Sequence, residues 1–175
     1  MEELILLRPT SAYADQIAAY RREFLEEGGS MDGTGPLRRM ENPEEYVTLC
    51  RDYEDPEKVP PPLVPATQFL FVRKRDNRLV GMIQIRHRFN DYLEKYAGHI
   101  GYSVRKSERR KGYAKQMLKA ALPFCHEIGM DNVLITCIET NVGSEKTILA
   151  NGGVYESTVR EPNEKINLKR FWIRL

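Results

Sequence analysis

The stretch Ser103–Leu122, SVRKSERRKGYAKQMLKAAL, decides how this chain is read. Five of the seven residues from Arg105 to Lys111 are basic, and they stand directly before a glycine and a segment of helical periodicity. A helix N-terminus already carries partial positive charge, so each cation there is unfavourable by roughly 0.3–1 kcal/mol. Charge piled against charge points to an anion that sits there. Gly112 lets a ligand approach the main chain, and amides from about Arg110 to Ala114 would face phosphate oxygens. Arg109, Arg110 and Lys111 would add charge. A solvated charged turn is the competing reading, and a P-loop is excluded because GxxxxGK[ST] is absent.

Downstream, Ala114, Met117, Leu118, Ala121, Cys125 and Ile128 recur on one helical face, with Pro123 predicting a kink or a shorter helix. Val133–Ile138 is a continuous apolar run, as in a strand buried on both faces. A short helix over Ser144–Asn151 ends at Gly152-Gly153, and strands follow at Val154–Arg160 and Ile166–Arg174. Upstream, Gly98–Val104 (GHIGYSV) reads as a strand whose glycines mark a bulge or a close backbone approach.

The N-terminal part opens with a strand at Leu4–Leu7 and a helix capped by Thr10 or Ser11 that runs to about Glu27. Asn42-Pro43-Glu44-Glu45 starts a second helix, which ends near Tyr53. Residues 54–66 hold five of the ten prolines and form a stiff loop. Strands at Gln68–Lys74 and Leu79–Arg88 flank an Asp76-Asn77 hairpin that lacks the usual glycine, and Asn90–Tyr96 is a short helical or turn segment. The order predicts an α/β fold: a mixed, mostly antiparallel central sheet of about seven strands flanked by helices, with a parallel crossover around the basic turn. One domain over residues 1–175 is expected.

Composition narrows the function. Hydrophobic residues make up 41% and charged residues 30%, with 27 basic against 25 acidic residues. A net charge of +2 argues against a general nucleic-acid coat. Cys50, Cys125 and Cys137 show no CxxC spacing, and the three histidines show no ligand spacing, so neither a disulfide framework nor a metal site is expected. The N-terminus lacks the pattern of a signal peptide and no apolar run is long enough to span a membrane, which makes a cytoplasmic protein the expectation.

Arg109-Arg110-Lys111-Gly112-Tyr113-Ala114 matches [QR]-x-x-G-x-[GA], and Asn141-Val142-Gly143-Ser144 matches N-x-x-[SA] at the head of the short helix. With this element order, the sequence resembles the GCN5-related N-acetyltransferase (GNAT) family over nearly its whole length, in particular its uncharacterised "predicted acetyltransferase" branch. The resemblance implies an acyl-CoA N-acyltransferase-like sheet with a splayed fourth and fifth strand. It implies acetyl-CoA as co-substrate, held by Tyr102, Val104, the turn Arg109–Ala114, Asn141 and Ser144, with main-chain groups of Ile100, Tyr102 and Val104 facing the thioester and pantetheine. Many members carry a tyrosine acid seven residues after the asparagine; here that position is Ile148.

Acetyl transfer to an amine needs a proton acceptor, a donor to the oxyanion and a departing thiolate. His99 on the fourth strand is the first candidate for base, His87 and Glu139 are the next, and Tyr155 or Tyr102 are candidates for acid. His126 reads as a surface residue. The acceptor, a small-molecule or peptide amine, is expected against the first two helices and the loop from Asp55 to Ala66. The seven acidic residues and one basic residue between Glu41 and Glu57 would draw a cation there. A monomer or homodimer is expected, without nucleic-acid or membrane partners. The alternative is an inactive acyl-CoA-binding sensor or interaction module on the same fold.

Overall fold

Local chemistry sets most element ends. Residues 2–175 are described by a computed structural model. The elements are β1 (Leu4–Leu7), α1 (Ala14–Glu27), α2 (Pro43–Asp52), β2 (Ala66–Arg73), β3 (Arg78–Arg86), β4 (Ile100–Val104), α3 (Tyr113–Glu127), β5 (Asn132–Ile138), α4 (Val142–Ala150), β6 (Val154–Glu161) and β7 (Ile166–Arg174). Asn42 caps α2 through Oδ1, which accepts from the amides of Glu44 (2.9 Å) and Glu45 (3.3 Å). The β2–β3 hairpin turns without glycine because Asn77 takes φ 52°. Its geometry is held by hydrogen bonds donated from Tyr13 Oη (2.6 Å) and Gln16 Nε2 (2.7 Å).

Pro123 neither ends nor shortens α3, which continues to Glu127. A proline inside a helix costs about 3 kcal/mol. Burial of a large apolar side chain returns roughly 1.5–3 kcal/mol, and Ala121, Leu122, Phe124 and Cys125 all pack on the core around it. The last turns are thus kept by tertiary contacts.

The seven strands form two antiparallel sheets, β1-β2-β3-β4 and β5-β7-β6. The parallel pairing expected between β4 and β5 is not made. Among the described residues, strand pairing between the two sheets is confined to a bridge between Gly98 and Ile135. There the His99 amide donates to the Leu134 carbonyl (2.8 Å), and the Leu134 amide donates to the His99 ring at Nδ1 (2.9 Å). A side chain thus takes the amide that a continued ladder would use, and the strands diverge beyond it. Gly98 has φ 69°, and a Cβ there would collide with the Leu134 carbonyl.

Alternation along β2 and β3 feeds two cores. Phe69, Phe71, Ile83 and Ile85 face α3 and the second sheet, with Met117, Leu118, Ile135, Ile148 and Phe171. Leu70, Val72, Leu79 and Met82 face α1 and α2, with Ile17, Tyr20, Phe24 and Tyr46. No helix among the described residues is long and apolar enough to cross a membrane.

Candidate active site

The divergence of β4 and β5 opens a cleft of about 830 Å³ that runs from the N-terminus of α3 to the loop between α1 and α2. One wall is the free edge of β4. The amide of Arg105 bonds to Val80, and that of Arg86 bonds to the carbonyl of His99, so the odd-numbered residues of β4 spend their main-chain groups on β3. Ile100, Tyr102 and Val104 turn theirs toward the splay. Arg109 Nε donates to the Val104 carbonyl (2.8 Å), which leaves the Val104 amide and both main-chain groups of Ile100 and Tyr102 for a ligand.

At the head of α3, the amides of Arg110, Lys111, Gly112, Tyr113 and Ala114 have no protein acceptor among the described residues, and Gly112 sits at the N-cap with φ 80°. This is a row of donors at the positive end of a 15-residue helix.

The basic run answers its charges differently from the expectation. Arg105 pairs with Glu23 (2.6 Å), Arg109 with Glu27 (2.8 Å) and Lys111 with Glu108 (2.8 Å). Glu108 is buried and also binds Arg73 (2.8 Å) and Arg78 (2.6 Å). Burial alone would raise its pKa, but the hydrogen bonds from Lys111, Arg73 and Arg78 prevail and pull it down to about 2. Lys111 does not line the cleft; Arg109, Arg110, Gly112, Tyr113 and Ala114 do. Among the described residues, Lys106 and Arg110, the latter held at φ 63°, make no ion pair, and of these two Arg110 lines the cleft.

Across the splay, Asn141 caps α4, its Oδ1 accepting from the Ser144 amide (3.1 Å). The Tyr102 hydroxyl meets Ser144 Oγ at 2.8 Å and bridges the two walls. Burial pushes the Tyr102 pKa well up, so this hydroxyl stays protonated. Cys137 also lines the cleft, and burial pushes its thiol up to about 11. Ile148 is fully buried against Gly153 and presents no polar group.

None of His99, His87, Glu139 and Tyr155 lines the cleft. His99 is buried, with its ring stacked on Phe89 at 4.0 Å and Nδ1 committed to Leu134; burial, then the charge of Arg86, lowers its pKa to about 4. His87 lies on the α3 face, bonded to Thr67 Oγ1 (2.8 Å). Strand alternation separates these neighbours. Glu139 accepts from Asn167 Nδ2 (3.0 Å), and the exposed Tyr155 hydroxyl meets Thr158 (2.7 Å). Neither α2 nor the loop over 55–66 reaches the cleft. The α1–α2 loop does so instead, through Asp32 and Gly33, opposite Arg86, Tyr92 and Tyr96. The one sequence signal for that loop was its run of glycines.

The Acetyltransferase (GNAT) family pattern matches residues 35–150. No curated protein matches the sequence. Among solved structures, the chain is similar to ribosomal-protein-S5-alanine acetyltransferase from Vibrio fischeri (16% identity, 99% of this chain and 94% of that one, TM-score 0.73). It is also similar to the microcin C7 self-immunity acetyltransferase MccE in complex with acetyl-CoA and AMP (17%, 99% and 93%, TM-score 0.71). A third is RimL, the ribosomal L7/L12 α-N-protein acetyltransferase, in complex with coenzyme A (14%, 98% and 94%, TM-score 0.71). The splayed sheets, the open amides at the head of α3 and the matched family pattern agree, and the chain belongs to the GNAT acetyltransferase family.

Proposed function

We propose that this protein is an N-acetyltransferase that moves the acetyl group of acetyl-CoA to a primary amine by direct attack in a ternary complex. The observation that carries the reading is the row of five open amides from Arg110 to Ala114, placed at the mouth of a cleft between two diverging strand edges. The residues present fit the co-substrate. The amides and Arg110 take a pyrophosphate, and the free edge of β4 and the Asn141–Ser144 turn line the arm. The co-substrate supplies a thioester already activated for acyl transfer.

The edge amides of Ile100 and Tyr102 are the donors available to an oxyanion. In the transfer an N–C bond forms and the C–S bond breaks, one amine proton leaves to solvent, and the thiolate gains a proton. Tyr102, hydrogen-bonded to Ser144 across the splay, is a protonated group on the cleft wall placed to supply it. A relay through Cys137 is disfavoured, because a thiol raised to about 11 is not a thiolate at neutral pH.

Calorimetric titration with acetyl-CoA tests the reading. One-to-one binding in the micromolar range, weakened at least roughly tenfold by Arg110→Glu, together with thiol release on addition of amines, is expected. Tyr102→Phe should lower kcat by about 10²-fold while leaving acetyl-CoA affinity nearly unchanged. Absence of acetyl-CoA binding overturns the reading; binding without transfer to any amine would favour the sensor alternative.

A further inference from the structure

The acceptor end of the cleft holds one unpaired cation. Arg86, at the end of β3, uses Nη1 to donate to the carbonyls of Ala97 and Gly98 (3.2 Å each), and no carboxylate lies within ion-pair distance among the described residues. Its Nε and Nη2 have no protein acceptor among the described residues. Neither is fully enclosed, since among the described residues the one enclosed side-chain polar atom without a partner is Gln68 Oε1, and Arg86 lines the cleft. Gly101 keeps the space before Nη2 clear: a Cβ there would lie 3.2 Å from that nitrogen. Burial lowers the Arg86 pKa to about 10, which reflects the cost of a charge held here without a counter-ion.

A second feature faces it. The Asp32 carboxylate lines the same end and acts on Arg86 through space without pairing with it. Asp32 is held by a rigid support. Gly33 is pressed against the main chain of Gly101 and Tyr102 so closely that a Cβ would collide, and its carbonyl accepts from Gln68 Nε2 (2.7 Å). The next residue, Thr34, receives the Tyr46 hydroxyl (2.7 Å). Asp32 precedes Gly33, whose main chain packs on that of Tyr102, and both Asp32 and Tyr102 line the cleft. Asp32 and Arg86 thus line one cleft as opposite charges that are not paired with each other.

We propose that Arg86 receives the carboxylate of an amino-acid acceptor whose amine lies on the Asp32 side of the cleft. The acceptor is then a small molecule carrying both groups on one head, and Tyr92 and Tyr96, with rings 5.2 Å apart, form the wall for its body. This rests on the acetyl-transfer reading. Asp32 alone would select any cation; Arg86 makes the head zwitterionic.

The test compares the twenty standard α-amino acids with their α-carboxamides, by thiol release and by thermal shift of the acetyl-CoA complex. The amide has the less basic amine, so intrinsic reactivity favours it, and a preference for the acid must come from the site. At least one acid should exceed its amide by roughly tenfold or more in kcat/KM, mainly through KM. Arg86→Gln, which can still donate to Ala97, should remove that ratio while binding acetyl-CoA normally. Amides that match their acids, a ratio that survives Arg86→Gln, or no amino acid that binds or reacts would each overturn the proposal. If wild-type protein fails to bind acetyl-CoA, it is the transfer reading that falls.

Discussion

His99, expected as the base, makes a main-chain contact at the junction of the sheets. Its ring accepts a main-chain hydrogen bond that holds two sheets together, and its charged form is excluded by burial and by Arg86. The folded pKa of about 4 lies below the ordinary 6.5, so the unfolded chain binds the proton first. The stability this contributes is complete above pH 6.5 and is lost as pH falls toward 4, by up to about 3 kcal/mol. His99→Gln can still accept from Leu134, and its melting temperature should vary less with pH across that window. A bell-shaped activity profile that loses its acid limb in the same variant would instead restore His99 to catalysis.

At the scale of elements, the basic turn is a paired device. Glu108 collects Arg73, Arg78 and Lys111, and Glu23 and Glu27 on α1 take Arg105 and Arg109. Glu108→Gln should destabilise the fold by about 3 kcal/mol, because it removes the buried carboxylate that the buried Arg73 and the more exposed Arg78 and Lys111 share, leaving Arg73 with Asp76 alone. The Glu108 carboxylate is depressed to about 2, so its contribution holds above pH 4.5 and fades below it, a range distinct from that of His99. Denaturant midpoints at pH 7 and pH 3 would show the loss in the first and a smaller one in the second. The turn itself, the Asn42 cap and the apolar run of β5 were legible because each is a local pattern of a few residues. The pairing was not. Arg105 and Glu23 are 82 residues apart, and so are Arg109 and Glu27. Arg86 and Asp32, proposed for the acceptor, carry no such pattern: neither belongs to a periodic motif, and only the fold brings both to one cleft. The shortening expected at Pro123 does not occur because tertiary burial outweighs local propensity.

At the scale of the molecule, everything depends on where two sheets stop pairing. The junction is narrow, and Gly98 permits it through a positive φ that a side chain resists. Gly98→Val should cost about 2–4 kcal/mol from strain and collision with Leu134. It should also weaken acetyl-CoA binding, since the cleft widens or closes from that point; thermal melts with and without acetyl-CoA would separate the two effects. A variant as stable as the wild type would mean that the junction tolerates rearrangement. The internal pairing of the basic turn has a consequence for solution behaviour. Five cations held open beside a phosphate site would make affinity collapse as sodium chloride is raised. Here three are neutralised from within, so the protein sheds few counter-ions when acetyl-CoA arrives. Its affinity should decline with added salt along a line of slope near one on logarithmic axes.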